Sequence, residues 1–332
     1  TYRTVSENWS RWRPMLVDRA GRDQLSAYLL LSLEGHFHYR LRDEKLEPWK
    51  PGPGASPLLR FQMATCVSVK AGALETLLKE ELRLDEAHLF LGETALVAGK
   101  LVTAEKHLLQ AVTAIPELTA GHLALGHVYL AMEELDTARA TYRKVLERAP
   151  DHREALLGEA QSLSYLGRSD EALEVLDQMV RLGTWYMGEA YYWRAWNRHR
   201  LRQLEVADTD IGEARRRLPT DSLVDKLPGL IAYGRNDAER AEREFRVALE
   251  HLESRDGRDC DVGYFLGAAL VAQRKWSEGA TRFEAAAPCY EKDHTYFSGK
   301  IAEIEKSDLS ADRKARLVAA KKQQIEASRL QQ

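Results

Sequence analysis

The sequence predicts an all-α chain: a solenoid superhelix of stacked helical hairpins, preceded by a small irregular region and closed by C-terminal capping helices. Three observations carry that expectation. From Gly92 onward, Leu-Gly, a small or aromatic residue, Ala, a bulky residue, an apolar residue and Pro return about every 34 residues, the length of one helix-turn-helix repeat. Six degenerate copies share one phase. Prolines at Pro116, Pro150 and Pro219 fall where each second helix should stop, because proline lacks an N–H and locks φ.

Composition permits this architecture and narrows the alternatives. The 332 residues are 44% hydrophobic and 30% charged, ordinary for a globular protein. The longest apolar run, Ala27 to Leu33, is about a third of the roughly 20 residues that cross a bilayer, so no membrane insertion is expected. A net charge of −3 provides no global field for nucleic acid. Cys66, Cys260 and Cys289 are too scattered for a disulfide framework or a zinc site. Free thiols are the expectation, with a Cys260–Cys289 bridge left open because both residues fall in the last repeat.

In chain order, residues 1–56 form a flanking region. Asp23 to Leu33 reads as helix, and His36 to Leu41 alternates like a short extended segment. Pro48, Pro51, Gly52, Pro53, Gly54 and Pro57 then interrupt regular structure. Residues 57–84 read as a degenerate capping helical pair. Six repeats fill residues 85–290, with copies starting at Asp85, Thr119, Arg153, Gly188, Ser222 and Cys260. The clearest holds Leu125, Gly126, Tyr129, Ala138, Tyr142, Val145 and Pro150, and the one before it holds Leu91, Gly92, Ala95, Ala104, Leu108, Ala111 and Pro116. Gly or Ala at the eighth and twentieth positions lets two helices approach until their bulky residues interlock. In the fifth copy, Tyr233 to Asn236 bring the turn early and Glu250 to Asp261 lengthen the connection, which predicts an irregularity and a hinge before the sixth. Residues 291–332 complete the chain as capping helices, Thr295 to Glu305 and Ala311 to Leu330. Ser310 is the expected N-cap of the second, and Leu317, Val318 and Ile325 form its single apolar stripe.

This pattern resembles the tetratricopeptide repeat family over about residues 85–290. The resemblance implies tetratricopeptide-type hairpins in a right-handed α-solenoid superhelix, and a concave groove lined by the first helix of each repeat at positions five and nine. On this sequence position five is Leu89, Leu123, Leu157, Tyr192, Lys226 and Tyr264. Position nine is Glu93, His127, Gln161, Trp196, Leu230 and Ala268. Family members that hold the acidic tails of chaperones do so with Lys, Arg and Asn at such places, and that clamp is missing here.

The fourth copy stands out. Trp185, Tyr186, Tyr191, Tyr192, Trp193 and Trp196 crowd into one short stretch, a composition suited to binding anchors, although at least half of them are expected to pack in the core because a solenoid helix has two buried faces. Tyr192 and Trp196, four apart, are expected to face solvent. Arg194, Arg198, His199, Arg200 and Arg202 follow, with Arg215, Arg216 and Arg217 at the end of the partner helix.

Catalytic and metal chemistry find no constellation. His36 and His38 would share one face of a strand without an identifiable third ligand, and no nucleophile elbow, zinc-protease or phosphate-loop motif occurs. No catalytic residue, metal or cofactor is therefore expected. The sequence points to a non-catalytic scaffold binding a protein or peptide segment through Leu89, Glu93, Leu123, His127, Leu157, Gln161, Tyr192, Trp196 and Arg200. Rival readings are a groove filled by the chain's own termini, with binding left to the convex face or a homo-oligomer contact, RNA or single-stranded nucleic acid held by the fourth repeat, and an accessory region of a larger enzyme or regulator.

Overall fold

The computed structural model describes residues 85–183, 186–218, 224–254, 259–307 and 309–331, with Thr76 as a lone helical residue before them. The expectations for residues 1–56 and 57–84, including His36, His38 and Cys66, lie outside the described residues, as do Trp185 and Pro219. Among the described residues there are thirteen α-helices and no strand: an all-α solenoid of helical hairpins. They are α1 (Asp85–Val97), α2 (Leu101–Ala114), α3 (Thr119–Ala131), α4 (Leu135–Leu146), α5 (Arg153–Tyr165), α6 (Ser169–Leu182), α7 (Met187–Arg200), α8 (Leu204–Arg217), α9 (Leu227–Gly234), α10 (Ala238–Ser254), α11 (Cys260–Ala272), α12 (Trp276–Lys306) and α13 (Ala311–Gln331). Residues 1–125 and 126–332 form two compact units divided within α3.

Close helix approach in both units rests on the small residues of the repeat. In the unit 1–125, a Cβ added to Gly92 would lie 2.4 Å from the Leu108 side chain. In the unit 126–332, Gly126 and Gly158 sandwich the fully buried ring of Tyr142, and a Cβ on either would come within 2.5 and 2.3 Å of it. Gly229 meets Phe245 and Gly267 meets Phe283 in the same manner. The alanines at the twentieth position, Ala104, Ala138, Ala172, Ala207 and Ala241, are all 0% exposed.

Each hairpin turns by one device. The fifteenth residue of every copy, Gly99, Glu133, Gly167, Arg202, Asn236 and Arg274, has φ between 60° and 79°. The following amide bonds back to a carbonyl five residues earlier, as Glu134 N does to Tyr129 O at 2.9 Å and Lys275 N to Leu270 O at 3.0 Å. This is the left-handed C-terminal cap that satisfies otherwise orphaned carbonyls. Glycine adopts it freely, whereas the bulkier residues accept steric strain.

The end of the chain departs from expectation in three places. α12 runs unbroken from Trp276 to Lys306 through Pro288, so Thr295 to Glu305 is not a separate helix. Proline costs one backbone hydrogen bond there, and the flanking turns carry the helix on. The hinge expected before the sixth repeat is spanned by one apolar cluster containing Phe245, Val262, Leu266 and Leu270. Free thiols are corrected to a disulfide: Cys260 and Cys289 are bridged with Cα atoms 5.5 Å apart, tying the start of α11 to α12. The antiparallel pairing of these helices brings together two cysteines 29 residues apart. Ser310 takes its expected place before α13, its Oγ accepting from Arg313 N at 3.4 Å.

Candidate functional site

The fourth repeat packs Tyr191, Tyr192, Trp193 and Trp196 into or against the core, while Tyr186 is exposed. α7 lies against α6 and α8 and also meets α5. Tyr192 is only 8% exposed and joins Leu157, Trp193, Leu227 and Ile231 in one core cluster, with Trp196 packed half-buried against it. The expectation that Tyr192 faces solvent is therefore corrected. A large ring at position five covers the neighbouring repeat, and burying one Tyr or Trp removes 150–250 Å² from water. Trp193 stacks edge-on to Tyr165 at 5.3 Å and to Tyr192 at 5.4 Å.

The arginines are likewise engaged within the fold. Arg194 donates two bonds to Asp210, at 2.9 and 2.6 Å, and a third to Asp177 at 2.9 Å, while Arg198 also pairs with Asp210. Asp210 is 2% exposed, and both guanidinium groups compensate a carboxylate withdrawn from water. Arg215 reaches Glu244 at 2.7 Å, and Arg216 and Arg217 pair with Glu213. Arg194 and Arg217 lie over the Tyr191 ring at 5.0 and 4.8 Å. Arg200 donates to the Ser164 carbonyl at 2.7 Å.

Of the nine candidate binding residues, the structure brings two together around an open space. His127 of α3 and Gln161 of α5 line a cavity of about 760 Å³ with Leu130, Ala131, Leu135 and Tyr165. Ala320, Gln323 and Gln324 of α13 form its far wall. Leu157 is buried in the core, and Trp196 and Arg200 are outside the cavity lining. Leu89, Glu93 and Leu123 belong to the unit 1–125, where each is half-buried and burial raises the Glu93 carboxyl.

His127 sits 5.6 Å from the Tyr142 ring and 3.6 Å from the Glu154 carboxylate. Burial lowers its pKa, with Glu154 opposing in part, so the imidazole is neutral at pH 7 and can both donate and accept. Gln161, Gln323 and Gln324 on the same lining add paired amide donors and acceptors. Aliphatic side chains complete a surface suited to a polypeptide, apolar in area and amide-like in polarity.

α13 is held to this place by the turn after α3, which sequence reasoning missed. Arg313 pairs with Glu134 and lies over the Tyr129 ring at 5.8 Å. Lys321 meets Glu133 at 2.5 Å, and Gln324 Nε2 donates to the same carboxylate at 3.1 Å. The available signal was the acidic pair Glu133-Glu134 at a turn where no other copy carries two carboxylates, set against a basic final helix.

Residues 123–184 match the tetratricopeptide repeat family model. Over 87 residues, 26% of this chain, the sequence is 39% identical to the cellulose synthase operon protein C of Xanthomonas axonopodis pv. citri, and the match spans 6% of that protein's length. A tetratricopeptide repeat protein from Parabacteroides merdae superposes with a TM-score of 0.52 at 16% identity, covering 71% of this chain and 98% of its own. Pseudomonas aeruginosa PilF gives 0.53 at 17% identity, covering 62% and 92%. At such identities the likeness is one of fold. Residues 123–184 thus carry tetratricopeptide repeats, and with the repeat register and its packing residues the chain as a whole is a helical repeat protein.

Proposed function

We propose that this chain is a non-catalytic scaffold that binds a protein segment along the first helices of its second and third repeats. Repeats of this family generally serve protein–protein interaction. The observation that carries the more specific reading is the cavity between α3, α5 and α13, where groove positions His127 and Gln161 meet an aliphatic floor. A polypeptide offers amides to Gln161 and His127 and side chains to Leu130 and Leu135. Nucleic acid is the weaker reading, because Arg194, Arg198, Arg215, Arg216 and Arg217 already face carboxylates.

The test is a partner captured from the native host and its affinity for variants of equal helicity. Gln161→Arg should weaken binding at least about tenfold, the equivalent of 1.4 kcal/mol. Val206→Arg, at an exposed site on α8 outside the cavity, should leave it unchanged. Equal affinity of both variants would remove the groove assignment. Binding of single-stranded RNA that falls steeply as salt rises above about 50 mM would favour the rival reading.

A further inference from the structure

We propose that α13 is a built-in competitor: it occupies in cis a docking surface for a basic amphipathic helix, and a partner helix of that chemistry displaces it. The inference deepens the groove reading above and rests on it. Three observations carry it.

The first is that α13 already docks as a helical ligand would. Arg313, Leu317, Ala320, Lys321 and Gln324 lie at intervals of four, three, one and three residues, which places them on one face of a helix. Arg313, Lys321 and Gln324 make direct polar contacts with Glu133 or Glu134, Leu317 is buried, and Ala320 lines the cavity. Arg313 and Lys321, eight residues apart, stand about 12 Å from each other along the axis. The surface thus reads two cations spaced by just over two turns.

The second is how weakly apolar this attachment is. On the docked face only Leu317 and Ala320 are aliphatic, and the polar contacts beside them are ion pairs, amide hydrogen bonds and the Arg313 guanidinium over the Tyr129 ring. Both ion pairs are largely withdrawn from water, with side chains 15–34% exposed, so the desolvation of the charges offsets much of their attraction. The hairpin with α12 keeps α13 near the surface when the contacts break, so opening and reclosing need no unfolding of the repeats.

The third is that the cis helix leaves space beneath it. The cavity of about 760 Å³ lies where Ala320 faces Leu130, Ala131 and Leu135. A helix with the same two cations and a larger aliphatic residue at the Ala320 position would extend into that space. It would bury more apolar surface than α13 does, which gives a partner its advantage over the tethered competitor. The partner is accordingly a helix with Arg or Lys at the first and ninth positions and Leu, Ile or Met one residue before the second cation.

The experiment uses the full chain and a fluorescent peptide of residues 309–332 as probe. Wild type should bind it weakly, because the cis helix competes. Lys321→Glu in the protein loosens the cis contact while keeping Glu133, and should bind the peptide about tenfold more tightly, following the rise in the open fraction. Adding Glu133→Lys to Lys321→Glu re-forms the cis pair with its charges exchanged and should abolish that gain, and a peptide carrying Lys321→Glu should then bind only as weakly as the native peptide binds wild type. A peptide with Ala320→Leu should bind roughly tenfold more tightly than the native one.

Hydrogen exchange over residues 311–326 supplies the second readout. It should quicken in Lys321→Glu and stay unchanged in Arg316→Glu, whose side chain is exposed. Peptide affinity that is equal in wild type and Lys321→Glu, or indifferent to Glu133→Lys, would overturn the proposal. The groove reading fails separately, through a captured partner indifferent to Gln161→Arg. A captured partner sensitive to Gln161→Arg but bound equally by wild type and Lys321→Glu would leave the groove and remove the competitor.

Discussion

The second and fourth repeats make opposite use of their most conspicuous side chains. In the second, the tyrosine that belongs to the repeat pattern, Tyr142, is clamped between Gly126 and Gly158, while groove positions beside it remain around an open cavity. In the fourth, Tyr192 and Trp193 enter the core, and the neighbouring arginines are divided among Asp177, Asp210 and Glu213. A concentration of aromatic and cationic residues therefore does not mark a binding site in a solenoid. Where the repeat is most regular, packing is handled by glycine and one ring, and groove positions are released for other use.

That contrast can be broken most directly at Tyr192. Tyr192→Ala should destabilise the chain by about 3–5 kcal/mol, as truncation of a buried aromatic does, whereas a surface anchor would cost less than about 0.5 kcal/mol. Urea unfolding followed by far-ultraviolet circular dichroism separates the two. Asp210→Asn should cost about 3 kcal/mol in the same assay, because it leaves Arg194 and Arg198 without a carboxylate between them. A loss under about 0.5 kcal/mol would show that those arginines are free to turn to a ligand.

In the second and third repeats, Gly158→Ala should cost about 1–3 kcal/mol by forcing the Tyr142 ring to move. Gly212→Ala, whose added Cβ meets nothing within 4 Å on α8, should instead stabilise by up to about 1 kcal/mol. The smallest effect belongs to the turns. Arg274→Gly should add roughly 0.5–1 kcal/mol by relieving the left-handed conformation at φ 63°. Equal melting temperatures for that variant and wild type would show that the turn carries no strain.

A pH series sharpens the same comparison. Burial lowers the pKa of His127 near the cavity and of His199 in the fourth repeat, with Arg202 also lowering the latter. Below the ordinary histidine value of about 6.5 the unfolded chain binds protons that the folded chain refuses. Stability is thus full above that pH and falls as pH drops toward the folded values. His127→Gln should flatten part of this acid-side loss, and an unchanged slope would place the proton uptake elsewhere.

Much of the fold was legible because a repeat states its rules several times. The first helices begin at Asp85, Thr119, Arg153 and Cys260, at the first register position of their copies. The small residues of positions eight and twenty stand where helices touch. What escaped depends on contacts between residues far apart in sequence. Arg313 with Glu134 and Lys321 with Glu133 span 179 and 188 residues, and no local pattern records such pairs. The orientation of Tyr192 was hidden for another reason: a first helix in a solenoid is buried on two sides, so periodicity alone does not tell the groove from a neighbour. The Cys260–Cys289 bridge needed the hairpin geometry that sets the two cysteines side by side.

The unbroken course of α12 gives the molecule a mechanical property. At 31 residues the helix is about 46 Å long, and it forms both the last wall of the sixth repeat and the stem from which α13 returns to the second. Stretching the repeats between those points loads the two ion pairs at Glu133 and Glu134 before the superhelix can lengthen. A tilt of a few degrees where the disulfide grips α12 moves its far end by about 1–2 Å. Tension and partner binding thereby draw on the same latch, and an extended chain is one whose docking surface is already uncovered.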